Sequence, residues 1–305
     1  MEQQPDTLQI NFSPDNLWIL NIALAFVMYG IALEISTADF KRLWKAPRPV
    51  FTGLLSQFIL LPALTFFLVL FFKPEPGIAL GMFMVAACPG GNVSNFMTYL
   101  SGGNNALSVS LTALATLLAV VMTPLNLQFW GSLYFPTREI LEKVALAPGE
   151  MVKLVLLLLA IPLLLGMLTR SYFPAIALSL ARKLKWTSLI FFLILIVLAL
   201  YDNSEVLQSH LQDVFWMVLL HNAIALVAGY GLASLMQLDR QDRRTLAIET
   251  GIQNSGLGLL LIFTFFDQLG TMALLTAAWG IWHLVSGLAL SGYWSSRPLT
   301  KKIPG

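Results

Sequence analysis

Charge is scarce in this sequence. Lys, Arg, Asp and Glu make up 11% of its 305 residues, against about 25% in an ordinary soluble domain. Hydrophobic residues make up 57%. This balance excludes a soluble globular domain and points to a chain that lives in a bilayer. Cysteine is scarcer still: Cys88 stands alone, so no intrachain disulfide is possible. No paired Cys and His offers a zinc site, and no His-Glu-X-X-His or Asp pair marks a hydrolase. The first fifteen residues hold Glu2, Asp6 and Asp15 but no basic residue. They lack the positive n-region of a signal peptide, so the apolar run after them is expected to be a retained first span. The net charge of +2 says little about partners, because what matters is where the charges sit. Nucleic acid is not an expected partner.

What is present is a series of apolar runs, each near the roughly 20 residues that cross a bilayer. Read against the breaker clusters, they give about nine transmembrane helices, roughly at 16–35, 49–72, 77–100, 106–128, 151–169, 184–201, 214–236, 245–266 and 271–294. The whole chain, 1–305, reads as a single all-α polytopic membrane unit. The longest connection is expected between Phe129 and Glu150. Orientation follows from Lys and Arg. Lys41, Arg42, Lys45 and Arg48 follow span 1; Arg170, Arg182, Lys183 and Lys185 follow span 5. Arg240, Arg243 and Arg244 follow span 7, and Arg297, Lys301 and Lys302 close the chain. With nine spans these regions share one side, which leaves only Lys73, Arg138, Lys143 and Lys153 for the other. The expectation is an N-terminus outside and a C-terminus in the cytoplasm, in a cell (inner) membrane of bacterial type.

Two spans break the apolar pattern. Span 8 carries Glu249-Thr250-Gly251-Ile252-Gln253-Asn254-Ser255-Gly256. A carboxylate at mid-membrane costs on the order of 3 kcal/mol or more unless something neutralises it, and Gly and Asn weaken the helix. Span 3 carries Cys88-Pro89-Gly90-Gly91-Asn92-Val93-Ser94-Asn95. Proline removes a donor and crowds the preceding turn, so the freed backbone groups must find protein, water or ions. Gly91 and Gly251 are expected to mark close backbone approach. The two spans lie five apart and so enter from opposite sides. Interrupted spans at matching positions of oppositely oriented halves point to the binding site of an inverted-repeat secondary transporter. Spans 3 and 8 are therefore expected to be two crossing discontinuous helices that form one ion and substrate site.

Other polar residues are more ambiguous. Gln57, alone in span 2, suits either a hydrogen bond to a neighbouring helix or a ligand. Ser108 and Thr112 are four apart and share a helix face with Thr116, though each hydroxyl could back-bond to its own helix. His221 reads as a structural histidine or a proton carrier, and His283 is expected to pack beside span 8. Glu34 reads as a solvated end residue. Spans 5 and 6 have the composition of a lipid-facing wall.

At these residues the chain resembles the bile acid:sodium symporter family. The marks are the Cys88–Asn95 and Glu249–Gly256 motifs, Ala106-Leu107-Ser108-Val109, Trp282-His283 and the Ser36–Phe40 turn. The resemblance covers nearly the whole chain. It implies a core domain at about 49–128 and 214–294 and a panel domain at about 16–35 and 151–201, with the family's usual first span missing. It implies two sodium ions. The first would be held by Ser94, Asn95, Ser108, Thr112 and Glu249; the second by Gln57, Glu249, Thr250, Ile252 and Gln253, with Ile252 giving its backbone carbonyl. It also implies that Asn92, Asn254 and His283 line the substrate site. The implied function is a sodium-coupled symporter of an organic anion, bile acid-like or a smaller carboxylate, working by alternating access. Two other functions stay open: a proton-coupled organic anion carrier using Glu249, and an intramembrane enzyme, for which nothing marks a nucleophile and base.

Overall fold

A computed structural model of the chain describes residues 17–36, 47–91, 93–144, 148–184, 187, 190, 204–266 and 269–297. Among these residues all regular structure is helical apart from one isolated bridge. The helices are α1 (Leu17–Ala32), α2 (Pro47–Phe72), α3 (Pro76–Ala87), α4 (Val93–Leu100), α5 (Asn105–Leu133) and α6 (Phe135–Val144). The second half of the chain adds α7 (Pro148–Tyr172), α8 (174–184), α9 (Ser204–Leu235), α10 (Arg240–Gly251), α11 (Ser255–Phe265) and α12 (Gly270–Ser295). Among the described residues, four stretches are long and apolar enough to cross a membrane: α2, α5, Val214–Leu235 of α9, and α12. The expected spans 3 and 8 are each split, into α3 with α4 and α10 with α11.

The chain's own chemistry explains most boundaries. Cys88 is extended, φ −72° and ψ 153°, as the residue before a proline prefers, and α3 stops there. Asn104, Asp239 and Asn254 cap α5, α10 and α11 by accepting from Leu107, Asp242 and Leu257 N–H groups. Within α2 a wide π turn spans Ser56–Leu60, where the Leu61 N–H reaches the Ser56 carbonyl. Pro62 follows two residues after its end. It has no N–H and its ring crowds the carbonyl four residues back, and a one-residue expansion relieves that crowding. Such turns gather at functional sites, and this one carries Gln57.

One expectation is corrected here. The stretch from Phe129 to Glu150 is not a long loop: α5 runs on to Leu133, and α6 occupies Phe135–Val144. Pro136 suits the first turn of a helix, and α6 is held by Thr137, whose hydroxyl donates to the Gly131 carbonyl at 2.6 Å. Span 6 lies mostly outside the described residues, as does the Ser36–Phe40 turn after its first residue.

Helix packing sets the frame of the site. The α9 and α10 helices pack along their length, with Gly229 under Leu246 and Thr250. Likewise α12 lies on α3, where Gly77 and Gly81 leave room for Thr271, Met272 and Leu275. A separate pair is α1 with α7, where Gly166 faces Ala32 and the Tyr29 carbonyl. Tyr29 Oη and Thr169 Oγ1 lie 3.1 Å apart across this pair. As expected of a lipid-facing wall, α7 exposes Ile161, Leu164, Leu165 and Leu168, while Leu159 and Leu163 pack inward.

Candidate ion and substrate site

The two helix breaks meet. Gly91 N–H donates to the Ile252 carbonyl at 3.0 Å, and Asn254 N–H donates to the Pro89 carbonyl at 2.8 Å. Gly90 and Gln253 face each other in an antiparallel bridge. Each broken strand thus satisfies the backbone groups freed by the other, which low-dielectric surroundings demand. Gly90 is the close approach: a Cβ there would lie 3.0 Å from Glu249 Oε2 and 3.1 Å from the Glu249 carbonyl oxygen. At Gly251 an added Cβ would strike Leu226. Gly91 was expected to be as tight, yet its Cβ would sit at an ordinary 3.5 Å from the Gln253 carbonyl.

Glu249, in the last turn of α10, is fully buried. Its Oε1 accepts from Ser94 Oγ at 2.6 Å and from Ser108 Oγ, and its Oε2 accepts from Thr112 Oγ1 at 2.9 Å. These donors come from the first turn of α4 and from one face of α5. Asn95 Oδ1 lies 2.8 Å from Ser108 Oγ and 3.3 Å from Thr112 Oγ1. Each hydroxyl has a single proton. With all three protons given to the carboxylate, the Asn95 oxygen faces two oxygens that have none left to offer. The first expected ion set is therefore one oxygen cluster, and Thr98 Oγ1, 3.3 Å from Ser108 Oγ, joins its edge. Thr98 was not expected, although it lies one turn beyond Ser94 on the same helix.

A clasp fixes the cluster's geometry. Asn104 Nδ2 donates to Asp242 Oδ1 at 2.8 Å, and Asn104 N–H donates to Thr245 Oγ1 at 2.8 Å. Arg244 donates to the Ser101 carbonyl at 2.6 Å and to the Arg297 carbonyl at 2.8 Å. The turn between α4 and α5 is thus tied to the first half of α10, on the helix that carries Glu249.

The second expected set is more loosely assembled. Gln57 is fully buried; its Oε1 lies 3.4 Å from Gly90 N, and its Nε2 has no partner among the described residues. Gln253 Nε2 donates to the Thr250 carbonyl at 2.7 Å, and its Oε1 has no partner among the described residues. The Thr250 and Ile252 carbonyls each accept one hydrogen bond here and keep a second lone pair. Ser56, missed in the sequence although adjacent to Gln57, lies 2.8 Å from Thr250 Oγ1 through its hydroxyl. Asn222 was also missed, overshadowed by His221. Its Nδ2 donates to the Gly251 carbonyl at 2.7 Å.

Of the expected substrate residues, Asn92 lies outside the described residues. Asn254 is half-buried at the crossing and spends its Oδ1 on the cap of α11. His283 lies on the α12 face that also carries Gly280 and Gly287. A Cβ at Gly280 would meet Ser255, and one at Gly287 would meet Ile252 and Met97. That face looks onto the second break, and His283 Nδ1 has no partner among the described residues. His221 is elsewhere: its Nε2 is 2.7 Å from Thr65 Oγ1 and its ring packs on Trp279 with centroids 4.6 Å apart. Thr65 gives its proton to the Leu61 carbonyl, so His221 is the donor of that pair. A cavity of about 150 Å³ adjoins the first cluster, with Ile31 and Glu34 of the first span on one wall and Asn95, Thr112 and Thr116 on the other.

Comparison with known proteins identifies the family. Residues 21–210 match the Sodium Bile acid symporter family. A Bacillus subtilis (strain 168) protein named as the uncharacterized sodium-dependent transporter YocS is 33% identical over 289 residues, covering 93% of this chain and 86% of its own. The probable sodium/metabolite cotransporter BASS2, chloroplastic, of Oryza sativa subsp. japonica is 31% identical over 284 residues, covering 92% and 65%. Human sodium/bile acid cotransporter 4 is 32% identical over 233 residues, covering 76% and 52%. The chain is a multi-pass integral membrane protein, a transporter rather than an enzyme, and it belongs to the sodium bile acid symporter family.

Proposed function

We propose that this protein is a sodium-coupled symporter of an organic anion that works by alternating access. The observation that carries it is Glu249: a buried carboxylate whose polar partners are hydroxyls from α4 and α5. Sodium is a hard cation that takes oxygen ligands, as the other hard cations do. Ser94, Asn95, Ser108, Thr112 and Glu249 supply them for a first ion. Gln57, Glu249 and the carbonyl-bearing break at Thr250, Ile252 and Gln253 supply them for a second. The names of the three relatives, all sodium transporters, support the same choice of cation.

The rest of the architecture fits this reading. Nine spans with the N-terminus outside make α3–α4 and α10–α11 inverted counterparts. Core elements α2–α5 and α9–α12 carry the ions, and α1 with α7 belongs to a panel against which the core moves. Two sodium ions on one carboxylate leave a net positive charge, which an anionic substrate at Asn92, Asn254 and His283 offsets. The half-helix N-termini of α4 and α11 face the crossing, and such ends favour a carboxylate. Substrate and sodium then promote each other's binding, and the coupling is reciprocal.

A thermal-shift screen of carboxylic acids on the purified protein, in NaCl against choline chloride, tests this. Stabilisation by an acid only when sodium is present is the expected result. Equal stabilisation in both salts would count against coupling.

A further inference from the structure

We propose that Asn222, braced by Ser286, is the positioning residue of the second ion site. This rests on the two-sodium reading above. The candidate ligand set takes Thr250, Ile252 and Gln253 from the break and skips Gly251. The skipped carbonyl is the one that α9 holds, through Asn222 Nδ2 at 2.7 Å. The same peptide unit is held at its other end, where Ile252 N–H donates to the Ile248 carbonyl at 2.8 Å. A peptide unit is planar, so fixing its N–H and its C=O fixes its orientation. Glycine at 251 would otherwise leave that unit free to rotate. With it pinned, the flanking Thr250 and Ile252 carbonyls keep their directions towards the site.

The brace is built in the same buried place. Asn222 is fully buried. Ser286 of α12 donates its hydroxyl to Asn222 Oδ1, which sets the amide so that Nδ2 faces Gly251. Leu226, one turn along α9, closes the other side of Gly251, where an added Cβ would strike it. Ser286 Oγ is also 3.3 Å from the carbonyl of His283, so the brace joins the ion-side backbone to the helix turn that carries a candidate substrate residue. Groups that orient ligands without touching the ion commonly change metal affinity by roughly 10–100-fold when removed.

The test uses the purified full chain in detergent, with melting temperature followed against NaCl at constant total salt made up with choline chloride. Asn222→Ala and the near-isosteric Asn222→Leu are expected to raise the half-stabilising sodium concentration about tenfold. Ser286→Ala should raise it by less. The preference for sodium over lithium should fall in all three, because selectivity follows the placement of the oxygens. A purely structural role would lower the melting temperature in choline chloride and leave the sodium half-point and the lithium preference unchanged; that result overturns the proposal. Should both Asn222 variants fail to fold, Ser286→Ala decides alone, and a wild-type half-point there overturns it. Glu249→Gln runs in the same series. A wild-type sodium response in Glu249→Gln sinks the two-sodium reading, whereas its loss there beside unchanged Asn222 variants sinks only the positioning role.

Discussion

The two oxygen clusters proposed around Glu249 are built differently. The first is made of side chains on regular helices: Ser94 and Asn95 on α4, Ser108 and Thr112 on α5. Its donors already meet the carboxylate at 2.6 and 2.9 Å. The second is made largely of backbone at a helix break, and Gln57 reaches only to 3.4 Å from Gly90 N. Side chains on a rigid helix are placed by the helix. Carbonyls in a break are placed only by what hydrogen-bonds their neighbours, here Gly91, Asn222 and the facing strand of the other break. A site of the first kind is preorganised, and one of the second kind depends on the crossing.

In the two-sodium reading proposed above Glu249 belongs to both clusters, so its loss erases the comparison. Glu249→Gln keeps the shape and removes the charge. Sodium-induced stabilisation, which scales with ligand concentration over affinity, is expected to vanish, together with sodium-driven uptake. Near-normal sodium affinity in this variant would end the shared-carboxylate mechanism.

Gly90→Val attacks the crossing. Its first carbon would already press on the Glu249 carboxylate and carbonyl, 3.0 and 3.1 Å away, and overpacking of this kind costs about 1–3 kcal/mol. Membrane insertion should persist while transport by reconstituted protein is lost. Gly91→Ala, with ordinary space at its Cβ, should be much milder. Equal damage from the two would mean that backbone freedom, not space, sets the requirement.

Thr112→Ala separates the clusters. It removes one hydrogen bond to a charged group, a contribution of about 1.5–3 kcal/mol, and should raise the sodium half-saturation for one ion only. Stoichiometry measured by sodium-to-substrate flux ratio is the check, and a proportionate loss of both ions would deny that the clusters are separable. The smallest effect on sodium belongs to Thr65→Val. It strips His221 of its partner and should lower the melting temperature in choline chloride through about 1–3 kcal/mol of unsatisfied burial. The sodium half-point should stay unchanged, and a shift there would bring His221 into the mechanism.

Much of this was legible in the sequence because membrane physics is severe. Few polar residues survive in apolar spans, so Glu249, Gln57, Ser94 and Ser108 stood out. Proline and paired glycines cannot continue a helix, so the breaks at Cys88–Asn95 and after Glu249 were visible. The long apolar runs were likewise a local feature, and local chemistry determined them.

Other features belong to the tertiary structure. Asn222 and Ser56 sit in apolar helices beside residues that drew more notice, and only the packing of α9 and α2 against α10 brings them to the break. Gly90 and Gly91 are alike in sequence. Which of them faces the carboxylate depends on the register of the antiparallel bridge, and a one-residue slip would exchange them. The stretch after Phe129 looked like loop because it is short and charged; contact with the end of α5 holds it as α6. Composition fixed where the chain must break and which polar groups it carries. The three-dimensional crossing decided which of those groups share a single carboxylate, because that depends on distances between residues more than 130 positions apart.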